Sequence, residues 1–133
     1  MKRMLLVALC MGALACSDST SPTPASISGV WNLRTVNGSN LPYTVQSGTT
    51  RIDIIGDVLT VSEFGTFTQF TSYRYTQNGI TSTQSLNDQG TYTLNGTAIT
   101  FRFNSDGTIG TGSLDGRTLT VTAEGFATIY DKQ

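Results

Sequence analysis

From Ile27 to the end of the chain, apolar and polar residues alternate in short runs. Ile99, Phe101 and Phe103 stand against Thr100 and Arg102, and Leu119 and Val121 against Thr118, Thr120 and Thr122. A period of two puts successive side chains on opposite faces of a strand, whereas nothing in this stretch repeats with the period of an amphipathic helix. Each strand is therefore expected to bury one face and wet the other. The runs are separated by Asn37-Gly38, Gly56-Asp57, Asn78-Gly79, Asn95-Gly96, Asp106-Gly107, Asp115-Gly116 and Glu124-Gly125. Asn-Gly and Asp-Gly suit the positive φ angles of two-residue hairpin turns, so strands adjacent in sequence should pair. The pattern predicts strands over 29–36, 50–55, 58–63, 66–76, 80–86, 91–94, 98–103, 108–114, 118–123 and 126–130.

About eight to ten hairpin-linked strands with one apolar face each can form an open sheet, a sandwich or a barrel. Closure removes exposed edges, so an all-β, antiparallel up-and-down β-barrel is the expected fold, in one domain over 27–133.

The start of the chain has a different texture. Lys2 and Arg3 precede an apolar run from Met4 to Ala15, broken by Gly12 and followed by Cys16. A basic start, a short apolar stretch and small residues before a cut describe an export signal over 1–15, too short for the roughly 20 apolar residues of a membrane span. The sequence Ala13-Leu14-Ala15-Cys16 resembles the lipobox of bacterial lipoproteins, which implies cleavage before Cys16 and acylation of its thiol. Ser17 follows the cysteine, and the family's sorting pattern then implies the outer membrane. Residues 17–26, rich in Ser and Thr with Pro22 and Pro24, read as a disordered tether. With Cys10 removed and Cys16 acylated, no thiol pair remains to brace the fold. Loss of Lys2 and Arg3 takes the net charge from −1 to −3, which argues against nucleic acid as a partner.

The run Gly29-Val30-Trp31-Asn32-Leu33, with Val36-Asn37-Gly38 and Leu41-Pro42, resembles the opening of small bacterial lipocalin-like lipoproteins of the calycin group. Gly65-Thr66-Phe67, Gly90-Thr91-Tyr92, Ile99-Thr100-Phe101, the stretch from Leu114 to Val121 and a last strand ending in Tyr130 continue the likeness. The resemblance implies that Trp31 closes one end of the barrel beneath a basic side chain from late in the chain. No arginine follows Arg117, which leaves Lys132 for that place.

Chemistry is conspicuously thin. The chain has no histidine, which removes the usual general base and the commonest transition-metal ligand. Lys132 is the one lysine after the signal, and most acids (Asp57, Asp88, Asp106, Asp115, Glu124) fall at expected turns, where backbone hydrogen bonds explain them. Asn104-Ser105-Asp106-Gly107 lacks the further oxygen ligands of a calcium loop, and Gly107, Gly110, Gly112 and Gly116 do not have nucleotide-loop spacing. No catalysis, cofactor or metal is expected.

What remains is a set of aromatics, whose simplest role is to fill the barrel. An eight-stranded barrel can alternatively hold one small ligand, and the small residues Gly110, Thr111, Gly112 and Ser113 leave room for one beside the Phe101 strand. Trp31, Phe67, Tyr73, Tyr92, Phe101, Phe103 and Val121 are the candidate contacts to a small hydrophobic molecule. The alternative is a solid envelope module that touches a protein partner through its rim, or through the polar 73–85 hairpin with Tyr73 and Tyr75 near its Asn78-Gly79 tip.

Overall fold

The computed structural model describes residues 26–133, so the expected signal peptide, Cys16 and most of the tether lie outside the described residues. Ten strands follow one another: β1 (Gly29–Val36), β2 (Ser39–Asn40), β3 (Tyr43–Ser47), β4 (Thr50–Val61), β5 (Thr66–Gln77), β6 (Ile80–Asn95), β7 (Ala98–Phe103), β8 (Ile109–Asp115), β9 (Thr118–Ala123) and β10 (Phe126–Lys132). From β4 to β10 each strand pairs antiparallel with the next, and β10 pairs with β1. Pairing of β1 with β4, from Gly29 opposite Val61 to Asn32 opposite Val58, closes an eight-stranded up-and-down barrel. The expected fold is the observed one.

Three details depart from the sequence pattern. Gly56-Asp57 makes no turn: β4 runs through it, with a register shift between Ile54 and Gly56. A glycine between two apolar stretches can mark a bulge as readily as a turn, and here the partner strand β5 settles it. The segments 80–86 and 91–94 are one long strand, β6, because β5 templates it without interruption from Gln77 opposite Ile80 to Thr66 opposite Thr91. The short β2 and the polar β3 carried too weak an alternation to be expected, and they form because β1 and β4 separate.

That separation shapes the molecule. Beyond Asn32 and Val58 the two closing strands part, and each has a register shift nearby, between Leu33 and Thr35 in β1 and between Ile54 and Gly56 in β4. Bulges bend and twist a strand, so the seam opens as the strands leave the closed end. The freed edges are covered by β2, which pairs with Thr35 and Val36, and by β3, which pairs with β4 from Thr50 to Ile54. On the other side, β7 pairs with β6 only from Gly90 to Asn95. The β3–β4–β5–β6 ribbon therefore stands beyond the barrel, and the polar 73–85 hairpin projects as its outer part.

The core lies at the narrow end, where the chain enters at Ser26. Ile27, Trp31, Leu59, Val61, Phe67, Ile99, Phe101, Leu114, Leu119, Val121 and Tyr130 form one buried cluster, with Leu33, Tyr92 and Phe103 packed against it. Trp31 is fully buried, donates its indole N–H to the Ile27 carbonyl at 2.8 Å, and has the Lys132 Nζ 5.4 Å from its ring. Phe67 packs edge-on against both Phe101 and Phe103, at centroid distances of 5.1 and 5.0 Å. Edge-to-face pairs align a positive ring edge with a negative face and add to the gain from burial.

An apolar cup at the open end of the barrel

Inward-facing side chains change character along the barrel axis. Below are the aromatics and aliphatics of the core. Above them, Asp57, Gln69, Thr71 and Tyr130 form a polar belt, and above that Val45, Ile52, Ile54, Tyr73, Tyr75, Leu86 and Phe126 line an open cup of about 580 Å³ together with Thr71, Gln84 and Glu124. The bulge in β4 keeps Ile52 and Ile54 on the same concave face as Asp57 and Leu59, because the extra residue, Ile55, is turned out to solvent. A neighbouring cavity of about 280 Å³ is lined by Gln69, Leu86, Asp88, Phe103, Ser105, Asp106, Thr108, Ala123 and Glu124. The two share Leu86 and Glu124, so they form one mouth with a side window where β6 leaves β7.

Asp57 is the least expected feature of this region. Its residue is 6% exposed, and its Oδ2 accepts hydrogen bonds from Gln69 Nε2 at 2.8 Å and from the Thr71 hydroxyl. Its Oδ1 is buried without a partner. Burial pushes the carboxyl up from its ordinary range, against the pull of the Thr71, Gln69 and Tyr130 groups. Burial also pushes the Tyr130 phenol up, and the adjacent Asp57 charge adds to it, so the hydroxyl stays protonated. Sequence reasoning put Asp57 at a turn and missed it; the signal that could have found it is an acid in phase with Leu59 and Val61 on the apolar face of one continuous strand.

These shifts set a pH dependence. A carboxyl whose pKa is higher in the folded state binds its proton more tightly there, so stability is greatest below the ordinary carboxylate range and falls as pH rises through the raised value. Asp57→Asn should remove that decline, so that urea midpoints followed between about pH 4 and pH 8 fall less with rising pH than in the parent. Asp53, on the outer face, has the opposite sign: the Thr44 hydroxyl at 2.6 Å, then Arg51 at 2.8 Å, hold its carboxyl low. The weakening in acid that this produces should survive the substitution. A parent and variant with parallel pH profiles would show that Asp57 ionises as freely folded as unfolded.

The seven candidate contacts divide between the two levels. Tyr73 lines the cup and donates its hydroxyl to Gln84 Oε1 at 3.0 Å, and Phe103 lines the side cavity. Trp31, Phe67, Phe101 and Val121 are buried core, and Tyr92 packs against it with its hydroxyl on the Ser62 carbonyl at 2.6 Å. Tyr75 is half-buried in the cup wall, not displayed at the hairpin tip. Room beside the Phe101 strand is found only at its end, where Phe103 lines the side cavity, and not along Gly110 and Gly112. A Cβ on Gly112 would run into the Thr120 carbonyl and one on Gly110 would come within 3.2 Å of Val121, so missing side chains there let strands approach and leave no hollow. Val45, Ile52, Ile54, Leu86 and Phe126 were not among the expected contacts, because apolar residues that line a cup and apolar residues that fill a core have the same alternation.

Among the described residues no group of three or more His, Cys, Asp or Glu side chains is placed to hold a metal ion, and no helix is long and apolar enough to cross a membrane. In comparison with known proteins, no family model matches this chain, and neither a curated protein nor a solved structure matches it.

Proposed function

We propose that this chain is a lipid-anchored, lipocalin-like envelope protein that holds a small hydrophobic molecule without transforming it. The observation that carries the binding part is the cup: its volume of about 580 Å³ lies within the range of ligand sites, roughly 300–1,000 Å³, and its lining is mainly aliphatic and aromatic with few polar groups. The lipocalin-like part is supported by Trp31 at the closed end with Lys132 over its ring, the arrangement that the Gly-x-Trp resemblance implies. The absence of histidine from the whole sequence supports the non-catalytic part.

An anchor at Cys16 also leaves the cup accessible. The chain joins the barrel at its closed end, where Lys132 Nζ donates to the Ser26 carbonyl at 2.6 Å. The tether then joins the barrel at the end opposite the mouth, which leaves the mouth unobstructed by the anchor. Native mass spectrometry of protein extracted from its own membrane tests both parts in one measurement. The expected spectrum shows acyl mass bound covalently through Cys16, absent from Cys16→Ser, and a small molecule released on activation. A ligand-free spectrum at all extraction conditions counts against the binding reading, and unmodified Cys16 against the anchor.

A second reading is favoured by one observation. Between Ile80 and Gln89, β6 pairs with β5 alone, which leaves an outer strand edge free of charges from Ile80 to Asn87. Such an edge can accept a strand from a protein partner.

A further inference from the structure

We infer that the cup selects a cationic amphiphile, an apolar chain ending in a protonated amine, over a fatty acid or other anionic lipid; this rests on the binding reading above. The side chains that line the mouth include the carboxylates of Glu124, Asp88 and Asp106 and no lysine or arginine. Every basic side chain of the described residues is placed elsewhere. Arg51 and Arg74 meet Asp53 on the outer face, and Arg34 meets Asp131. Arg102 is exposed opposite Thr91, Arg117 donates to the Lys132 carbonyl at 2.8 Å, and Lys132 lies over Trp31 at the closed end. A carboxylate or phosphate head drawn into this mouth would lose water and gain no counter-charge, which is costly.

For a cation the same surface is complementary. Asp57 lines neither cavity, but Thr71 and Gln69, which do, both donate to its Oδ2, so its charge acts on the cup through them. Glu124 lines both cavities at the rim. Tyr73, Tyr75 and Phe126 add aromatic faces, whose quadrupoles attract a desolvated cation. The backbone at Glu124 agrees with a role for its carboxylate. The turns at Asn37-Gly38 and Asn78-Gly79 use Asn at φ of 49° and 51°, and Glu124 occupies the same left-handed conformation at 50°, where a longer side chain is disfavoured. The amine head is therefore assigned to the junction of the two cavities, between Glu124 and the Thr71–Asp57–Gln69 belt, with the apolar chain along Ile52, Ile54 and Phe126.

The test is calorimetric titration of the chain over 16–133 carrying Cys16→Ser, which lacks both the apolar signal segment and the acyl anchor, with n-decylamine, n-decanol and n-decanoate at neutral pH. The expected order is amine, alcohol, acid, with the amine binding about tenfold or more tighter than the acid, as one charge-assisted hydrogen bond gained by the amine and like-charge repulsion of the acid allow. Glu124→Gln and Asp57→Asn should each reduce the amine's advantage over the alcohol several-fold, with an unchanged far-ultraviolet circular dichroism spectrum showing that each variant is folded. Equal binding of amine and acid, or preference for the acid, overturns the charge assignment and leaves the binding reading standing. Binding of none of the three overturns both.

Discussion

Trp31→Ala is expected to cost about 3–5 kcal/mol, the range for truncating a large buried aromatic, out of the roughly 5–15 kcal/mol that a domain of this size has in total. The indole is completely buried and touches the cluster that plugs the narrow end, so its removal leaves a void that strands held by ladder hydrogen bonds cannot collapse to fill. The change also strands the Ile27 carbonyl, which accepts the indole N–H, and takes the ring from beneath Lys132. Trp31→Phe keeps most of the volume and loses the hydrogen bond, so it should be distinctly milder. Trp31 is the chain's one tryptophan, and urea unfolding of the variants therefore has to be followed by far-ultraviolet circular dichroism. A loss below about 1.5 kcal/mol for the alanine variant would mean that the closed end is loosely filled.

Gly90→Ala is expected to be at least as damaging, at or above the ~3 kcal/mol upper end of ordinary overpacking. Gly90 sits in β6 opposite Phe67 and Phe103, and a Cβ there would overlap the Arg102 carbonyl and come within 2.8 Å of the Phe67 ring. A side-chain rotation could relieve the second contact, but relief of the first requires β6 and β7 to move apart where they first join. Gly110→Ala is the matched comparison. Its added methyl would meet the Val121 side chain at 3.2 Å and Ala123 at 3.5 Å, contacts that a small shift relieves, so a change within about 1 kcal/mol is expected. If both variants had equal thermal midpoints, the close approach of β7 to β6 at Gly90 would be wrong.

The two glycines show where legibility ends. Gly110 falls in a strand evident from alternation and reads as missing bulk, whereas Gly90 falls in the gap between the expected strands 80–86 and 91–94. The sequence could not say that β7 presses a carbonyl against Gly90 while Gly110 faces only side chains. Asp57 makes the same point for the site. Beside Gly56 it has the composition of a turn, and only the pairing of β4 with β5 from Val61 opposite Phe67 to Thr50 opposite Gln77 carries it inside, next to Thr71. Tyr73 and Tyr75 were placed on the hairpin correctly, but which side they faced depended on the register with β4, where they stand opposite Ile54 and Ile52.

What the sequence determined by itself is local. Alternation at a period of two and turn residues that tolerate positive φ set the strands, the hairpins and the order of neighbours, because each depends on residues close together in the chain. Gly29, Trp31 and Lys132 foretold the closed end, through a resemblance. The tertiary structure alone decided that β1 and β4 close the barrel at one end and part at the other. It also decided that β6 outruns β7, and that the cup therefore opens between Ile52, Tyr73, Leu86 and Phe126. Those outcomes depend on the register of strands far apart in sequence, and an inward-facing apolar residue looks the same in the chain whether the space before it is filled or empty.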